Sequence, residues 1–102
     1  MLPGGAEVPL DTAVLLGRDP VAPEGVRGAR PIAVRDPQKT VSKTHVLLTP
    51  DPGGVRVRDL NSTNGTTLLL PSGRGVVPAG GEVLVEQALD LELGRFMVRI
   101  EA

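Results

Sequence analysis

No window of eleven or more residues in this chain keeps a 3.6-residue apolar period without meeting a glycine or a proline. Thirteen glycines and ten prolines among 102 residues cut the apolar positions into short pieces. Each piece is long enough for a strand and too short for a helix. After a Pro-Gly-Gly turn and a short alternating piece at the N-terminus, the pieces are residues 12–17, 31–34, 45–48, 54–60, 67–70, 76–77, 82–85, 89–93 and 96–100. Val55 and Val57 alternate with Arg56 and Arg58, and Phe96, Val98 and Ile100 alternate with Met97 and Arg99. Half-exposed antiparallel strands require this pattern. Residues 83–93 come nearest to a helix, but Val-Leu-Val followed by Leu-Asp-Leu-Glu-Leu favours strands. Nine to ten closely spaced short strands indicate an all-β, two-sheet antiparallel sandwich with no substantial helix, a single domain over residues 1–102.

Composition removes several function classes. The apolar fraction is 40%, mostly Val and Leu, with one Phe and no Trp or Tyr, so the core is aliphatic. A net charge of −1 argues against a nucleic-acid binder driven by phosphate neutralisation, and the missing aromatic rings weaken single-strand binding further. The chain has no cysteine, hence no disulfide framework and no thiolate chemistry. No apolar run approaches membrane-spanning length and no targeting segment is evident, so no direct membrane contact is expected. Charge is unevenly placed. Residues 18–43 carry Arg18, Arg27, Arg30, Arg35, Lys39 and Lys43 against Asp19, Glu24 and Asp36, a local positive excess suited to an anionic ligand.

Residues 41–67 concentrate the polar chemistry. Two apolar segments joined by Pro50-Asp51-Pro52-Gly53-Gly54 form a hairpin, which carries its outer ends to one sheet edge. Ser42-Lys43-Thr44-His45 and Asn61-Ser62-Thr63-Asn64-Gly65 then meet as two hydroxyl- and amide-rich loops. Ser42, His45 and Asp59 do not make a nucleophilic triad. Ser42 and His45 stand three apart at a strand entry, with no nucleophile elbow and no oxyanion site. A metal site fails as well, with one histidine, no cysteine and scattered carboxylates.

Gly17-Arg18, then Ser42-x-x-His45, then Asn61-Ser62-Thr63-Asn64-Gly65-Thr66 resembles the motif set of the forkhead-associated (FHA) domain in order and spacing. Residues 89–100 resemble that family's closing hairpin, so the likeness covers nearly the whole chain. The resemblance implies an eleven-stranded sandwich that binds phosphothreonine peptides at one edge and is no enzyme. It implies that Arg18, Ser42, Lys43 and Thr63 contact the phosphate and that Asn64 holds the peptide backbone. Gly17, His45 and Gly65 would shape and support the loops, with His45 bracing the Asn61–Gly65 loop from a partly buried position. No catalytic residue, metal or cofactor is implied. Selectivity around the phosphothreonine would lie in loop surfaces such as residues 64–68 and 71–75.

Such a module implies an upstream Ser/Thr kinase, a phosphothreonine-containing partner protein and a cytoplasmic setting. The Val, Arg, Pro, Gly and Ala richness suggests a bacterial source. The family's first strand normally precedes the turn seen here at Pro3-Gly4-Gly5. The expectation is therefore a first strand that is short or missing, in a chain cut from a longer protein, with one sheet edge exposed. A phosphorylation-independent interaction or scaffold domain on the same fold is the other reading, since fold does not fix function.

Overall fold

The computed structural model describes residues 5–9, 11–86 and 89–101. Ten strands follow in order: β1 Gly5–Pro9, β2 Val14–Gly17, β3 Arg30–Ala33, β4 Val46–Asp51, β5 Gly54–Asp59, β6 Thr66–Leu70, β7 Gly73–Val77, β8 Glu82–Val85, β9 Leu89–Leu93 and β10 Phe96–Glu101. They form two five-stranded sheets, β1-β10-β9-β6-β7 and β3-β2-β4-β5-β8. Among the described residues there is no helix, and none long and apolar enough to cross a membrane.

The strands lie where the apolar pieces stand in the sequence. β4 runs further than its apolar run, through Pro50 to Asp51. Pro50 pairs with Val55, so the strand enters what reads as turn sequence. β1 is the alternating piece after the N-terminal turn and pairs with β10 in parallel; residues 1–4 lie outside the described residues. Pairing is antiparallel except at β1–β10 and β2–β3, where an edge strand runs parallel to its neighbour.

The parallel β2–β3 pair explains the long Pro/Gly-rich connection. β3 must start beside the start of β2, with Val14 opposite Arg30, so the intervening chain travels back along the strand. This sorts the basic residues. Arg30 donates its N–H to Ala13 at the far end, whereas Arg35 follows the end of β3 that lies beside Gly17.

The core lies between the sheets. One sheet supplies Val14, Leu16, Val46, Leu48, Val55, Val57 and Val85; the other supplies Leu68, Val77, Leu91, Leu93, Phe96, Val98 and Ile100. Alternation continues to the end of β5, where the inward face reads Val55, Val57, Asp59. On β6 the inward positions are Thr66 and Leu68. The residue 60–65 connection crosses between the sheets, from the end of β5 to the start of β6. The ends of β2, β3 and β5 and the start of β4 therefore share one end of the sandwich with the start of β6 and the β9–β10 turn.

Candidate functional site

At that end the two polar loops meet by direct hydrogen bonds. The Thr63 N–H donates to Ser42 Oγ at 3.0 Å, and the Asn64 amide Nδ2 donates to the Thr40 carbonyl at 2.8 Å. The end of β2 is tied to the first loop. The backbone N–H of Arg18 donates to Ser42 O at 3.0 Å, that of Asp19 to Lys43 O at 3.1 Å, and that of His45 to Leu16 O at 2.8 Å. Gly17 makes this approach feasible: a Cβ there would stand 1.9 Å from the Lys43 carbonyl oxygen. The Gly-Arg pair is thus one device, a bare backbone where the loop crosses and a cation directly after it.

The Arg18 side chain is exposed, and its Nε donates to Val41 O at 2.5 Å. This bond fixes the guanidinium and leaves the terminal nitrogens available. Ser42 Oγ accepts from Thr63, so its own proton is free to be donated outward. Lys43 and Thr63 are exposed, and among the described residues their side chains make no hydrogen bond within the chain. Arg18, Ser42, Lys43 and Thr63 thus stand on segments that hydrogen bonds tie together at one end of the sandwich. Asn64 departs from a purely ligand-facing position, because its amide nitrogen already bridges the loops while Oδ1 remains.

His45 is fully buried behind the loops. Its Nδ1 accepts from the Ser42 N–H at 3.0 Å, which places the proton on Nε2, bonded to Gly65 O at 2.9 Å. Burial pushes the imidazole below its ordinary value, outweighing the upward pull of the Gly65 carbonyl and the Asp59 charge. A neutral histidine thereby joins both loops, as expected for a brace. The bracing is tighter than a partly buried position implies, since no solvent reaches the ring. Gly65 itself has φ +86°, which a side chain would resist.

Two carboxylates hold the loops in shape, Asp59, which the sequence brings up only as a rejected triad member, and Asp36, which it brings up only in the charge balance. Asp59, 1% exposed, accepts from the Ser62 N–H at 3.1 Å, Ser62 Oγ at 2.5 Å and Thr66 Oγ1 at 2.7 Å. Burial alone would raise its pKa, but these donors together outweigh it and hold the carboxyl below the usual range. The signal was present: period-two alternation along β5 puts Asp59 on the valine face, where a charge needs partners. Asp36 accepts from the Gln38 N–H at 3.1 Å, the Thr40 N–H, Thr40 Oγ1 at 2.8 Å and the Val41 N–H at 2.9 Å. Its pKa is likewise lowered, these hydrogen bonds overcoming the opposing effect of burial. Thr40 is the hub between loops, since its hydroxyl also accepts from the Arg95 N–H at 2.8 Å.

Residues 64–68 leave the site directly, but the turn after β6 lies away from it, and residues 73–75 belong to strand β7 rather than to a loop. β6 runs away from the site from Thr66 to Leu70, and Leu70 pairs with Gly73 beyond the turn. At about 3.3 Å per residue, that turn stands roughly 13 Å along the strand from the site end. The correction follows from strand direction, which residue type alone does not reveal.

A family model for the FHA domain matches residues 14–78. The chain belongs to the FHA family. Members of that family are in general phosphothreonine-binding protein-interaction modules rather than enzymes, and their partners are phosphorylated proteins. Among solved structures this FHA domain is similar to the FHA domain of an Arabidopsis thaliana hypothetical protein. The TM-score is 0.57 and the identity 23%, over 91% of this chain and 71% of that one. It is also similar to the FHA-2 domain of a Mycobacterium tuberculosis ABC transporter, at TM-score 0.51 and 25% identity, over 89% of this chain and 76% of that one. No curated protein matches the chain.

Proposed function

We propose that this FHA domain is a phosphothreonine-dependent peptide-binding module in Ser/Thr kinase signalling, acting in the cytoplasm as part of a longer protein. The observation that carries the reading is the convergence of Arg18, Ser42, Lys43 and Thr63 at one end of the sandwich. Their ligand-capable atoms are left over after the loop's own hydrogen bonds are made.

A phosphothreonine carries about −1.5 to −2 charges and three acceptor oxygens. Arg18 offers a permanent cation with a planar pair of donors, Lys43 a second charge, and Ser42 and Thr63 neutral donors. Asn64 Oδ1 accepts from the backbone of the bound peptide. Each charge-assisted hydrogen bond contributes roughly 1.5–3 kcal/mol net, so a few of them, less ordering costs, give an affinity on the order of micromolar.

The test compares a phosphothreonine peptide library with its unphosphorylated twin, on wild type and on Arg18→Ala. Wild type is expected to retain phosphopeptides selectively and Arg18→Ala to lose them. Equal retention of both libraries by wild type would leave a phosphorylation-independent interaction domain instead.

A further inference from the structure

Asn64 is followed by Gly65, and the chain's only other asparagine, Asn61, is followed by Ser62. Asparagine is a thermolabile residue, because the backbone nitrogen after it can attack the side-chain amide carbon. A following glycine has no side chain to obstruct that attack. Asn64 is exposed. Apart from its chain neighbours, no atom lies within 4 Å of where a Cβ on Gly65 would stand. Water therefore reaches the atoms that react.

The fold holds both reacting groups. The Gly65 N–H, whose proton must leave before the nitrogen can attack, donates to Ser62 Oγ at 3.1 Å. The departing group, Asn64 Nδ2, donates to Thr40 O at 2.8 Å. That second bond is also one of those that join the two loops, beside the one from the Thr63 N–H to Ser42 Oγ. The side-chain amide that ties the junction is thus the group that the chemistry removes.

We propose that Asn64-Gly65 is a self-modification site of this domain, at which slow loss of the Asn64 amide unties the loop junction and ends ligand binding. The Gly65 nitrogen bonds to Asn64 Cγ and the Cγ–Nδ2 bond breaks. Nδ2 leaves as ammonia, its third hydrogen being the Gly65 amide proton, relayed by water. Water then adds to either carbonyl of the five-membered imide and gives aspartate or isoaspartate. Either product sets a carboxylate against the Thr40 carbonyl, two acceptors where a hydrogen bond stood. Isoaspartate also lengthens the backbone ahead of Gly65, whose carbonyl accepts from His45 Nε2 and the Gly94 N–H. The added negative charge opposes an anionic ligand as well. The loss of binding rests on the phosphothreonine reading above; the chemistry rests on the loop alone. The module thereby carries a limit on its own working life.

The folded domain is incubated at neutral pH and body temperature in water of heavy oxygen, and fragmentation mass spectrometry locates the oxygen taken up. A synthetic peptide of residues 59–70 is the reference without the fold. The domain is expected to take up label at residue 64 in preference to Asn61. It should do so roughly tenfold more slowly than the peptide, since reaction passes through local opening of the loop. The converted fraction, more acidic by one charge, is separated by ion exchange and compared with unconverted protein and with Asn64→Asp. Conversion and Asn64→Asp are both expected to lower the urea midpoint without ligand and to weaken phosphothreonine-peptide binding about tenfold or more. Four results overturn the site: no label at residue 64 in the folded domain, no preference over Asn61, uptake as fast as in the peptide, or a converted fraction with the midpoint and affinity of unconverted protein. Equal binding of phosphorylated and unphosphorylated peptides by fresh wild type overturns the phosphothreonine reading instead, and a lowered midpoint in the converted fraction then still upholds the untying of the loops.

Discussion

At the scale of single residues, the site is a balance between groups that hold the loops and groups left over for a ligand. Ser42 does both, accepting from Thr63 and keeping a proton to donate. Ser42→Ala is therefore expected to weaken phosphopeptide binding about tenfold or more, the equivalent of one charge-assisted bond. It should also lower stability slightly, as calorimetric titration and urea melts would show; unchanged affinity would remove Ser42 from the ligand shell. Gly17 has no slack. Gly17→Ala would place a methyl group 1.9 Å from the Lys43 oxygen, so β2 and the loop must part. A loss of roughly 1–3 kcal/mol in chemical denaturation is expected, with phosphopeptide affinity falling alongside. Asp59→Ala would strand the buried Thr66 hydroxyl and the half-buried Ser62 donors. Each stranded group costs about 1–3 kcal/mol, so this variant should be among the least stable single changes at the site.

At the scale of elements, the β4–β5 hairpin explains why two loops far apart in sequence share one surface. Val46 lies opposite Asp59, and beyond that pair Leu60 N–H donates to His45 O at 2.9 Å. His45 then couples the loops through its two ring nitrogens, and protonation of Nδ1 would break the bond from Ser42. Its folded-state pKa lies below the unfolded value of about 6.5, so the folded protein binds fewer protons than the unfolded one. The associated stability is complete above about pH 6.5 and is lost as pH falls below it towards the folded value. Asp36 and Asp59, whose folded pKa values are depressed from 3.8, add a further loss only at more acid pH, below about that value. Urea midpoints for wild type should drop between pH 7.5 and pH 5.5. His45→Gln, less stable throughout, should show little change over the same interval. Because His45 is the only histidine, matching pH profiles for the two proteins would rule out this coupling.

At the scale of the whole molecule, an aliphatic sandwich core holds the loop ends in place. Leu91, fully buried, packs in the core of the sheet opposite the hairpin. Leu91→Ala is expected to cost about 2–5 kcal/mol, a large part of a typical domain's stability. With no Trp or Tyr in the chain, far-UV circular dichroism during urea unfolding is the suitable probe. Phosphopeptide affinity of the fraction that remains folded should change little, since Leu91 touches the site only through the sheet. An affinity loss much beyond the folded fraction would show that core packing tunes the loops directly. The charge distribution also belongs to this scale. Of the basic residues crowded between Arg18 and Lys43 in sequence, the fold sends Arg30 to the far end and brings Arg18, Arg35, Lys39 and Lys43 to the site end.

Period-two alternation, Pro/Gly punctuation and three short motifs in order were sufficient for the all-β class, nearly every strand, the FHA resemblance and the residues at the loop junction. Those signals are local, because side-chain alternation and turn chemistry act over a few residues. What the tertiary structure decided is non-local. The parallel pairing of β3 chose which cations reach the site, and the direction of β6 carried the turn at residues 71–73 away from it. Asp59 became a scaffold only because two sheets enclose it, and Asp36 and Thr40 because the chain folds back on them. Burial and pairing depend on which distant segments close over a residue, and spacing along one chain does not encode that closure in a readable form.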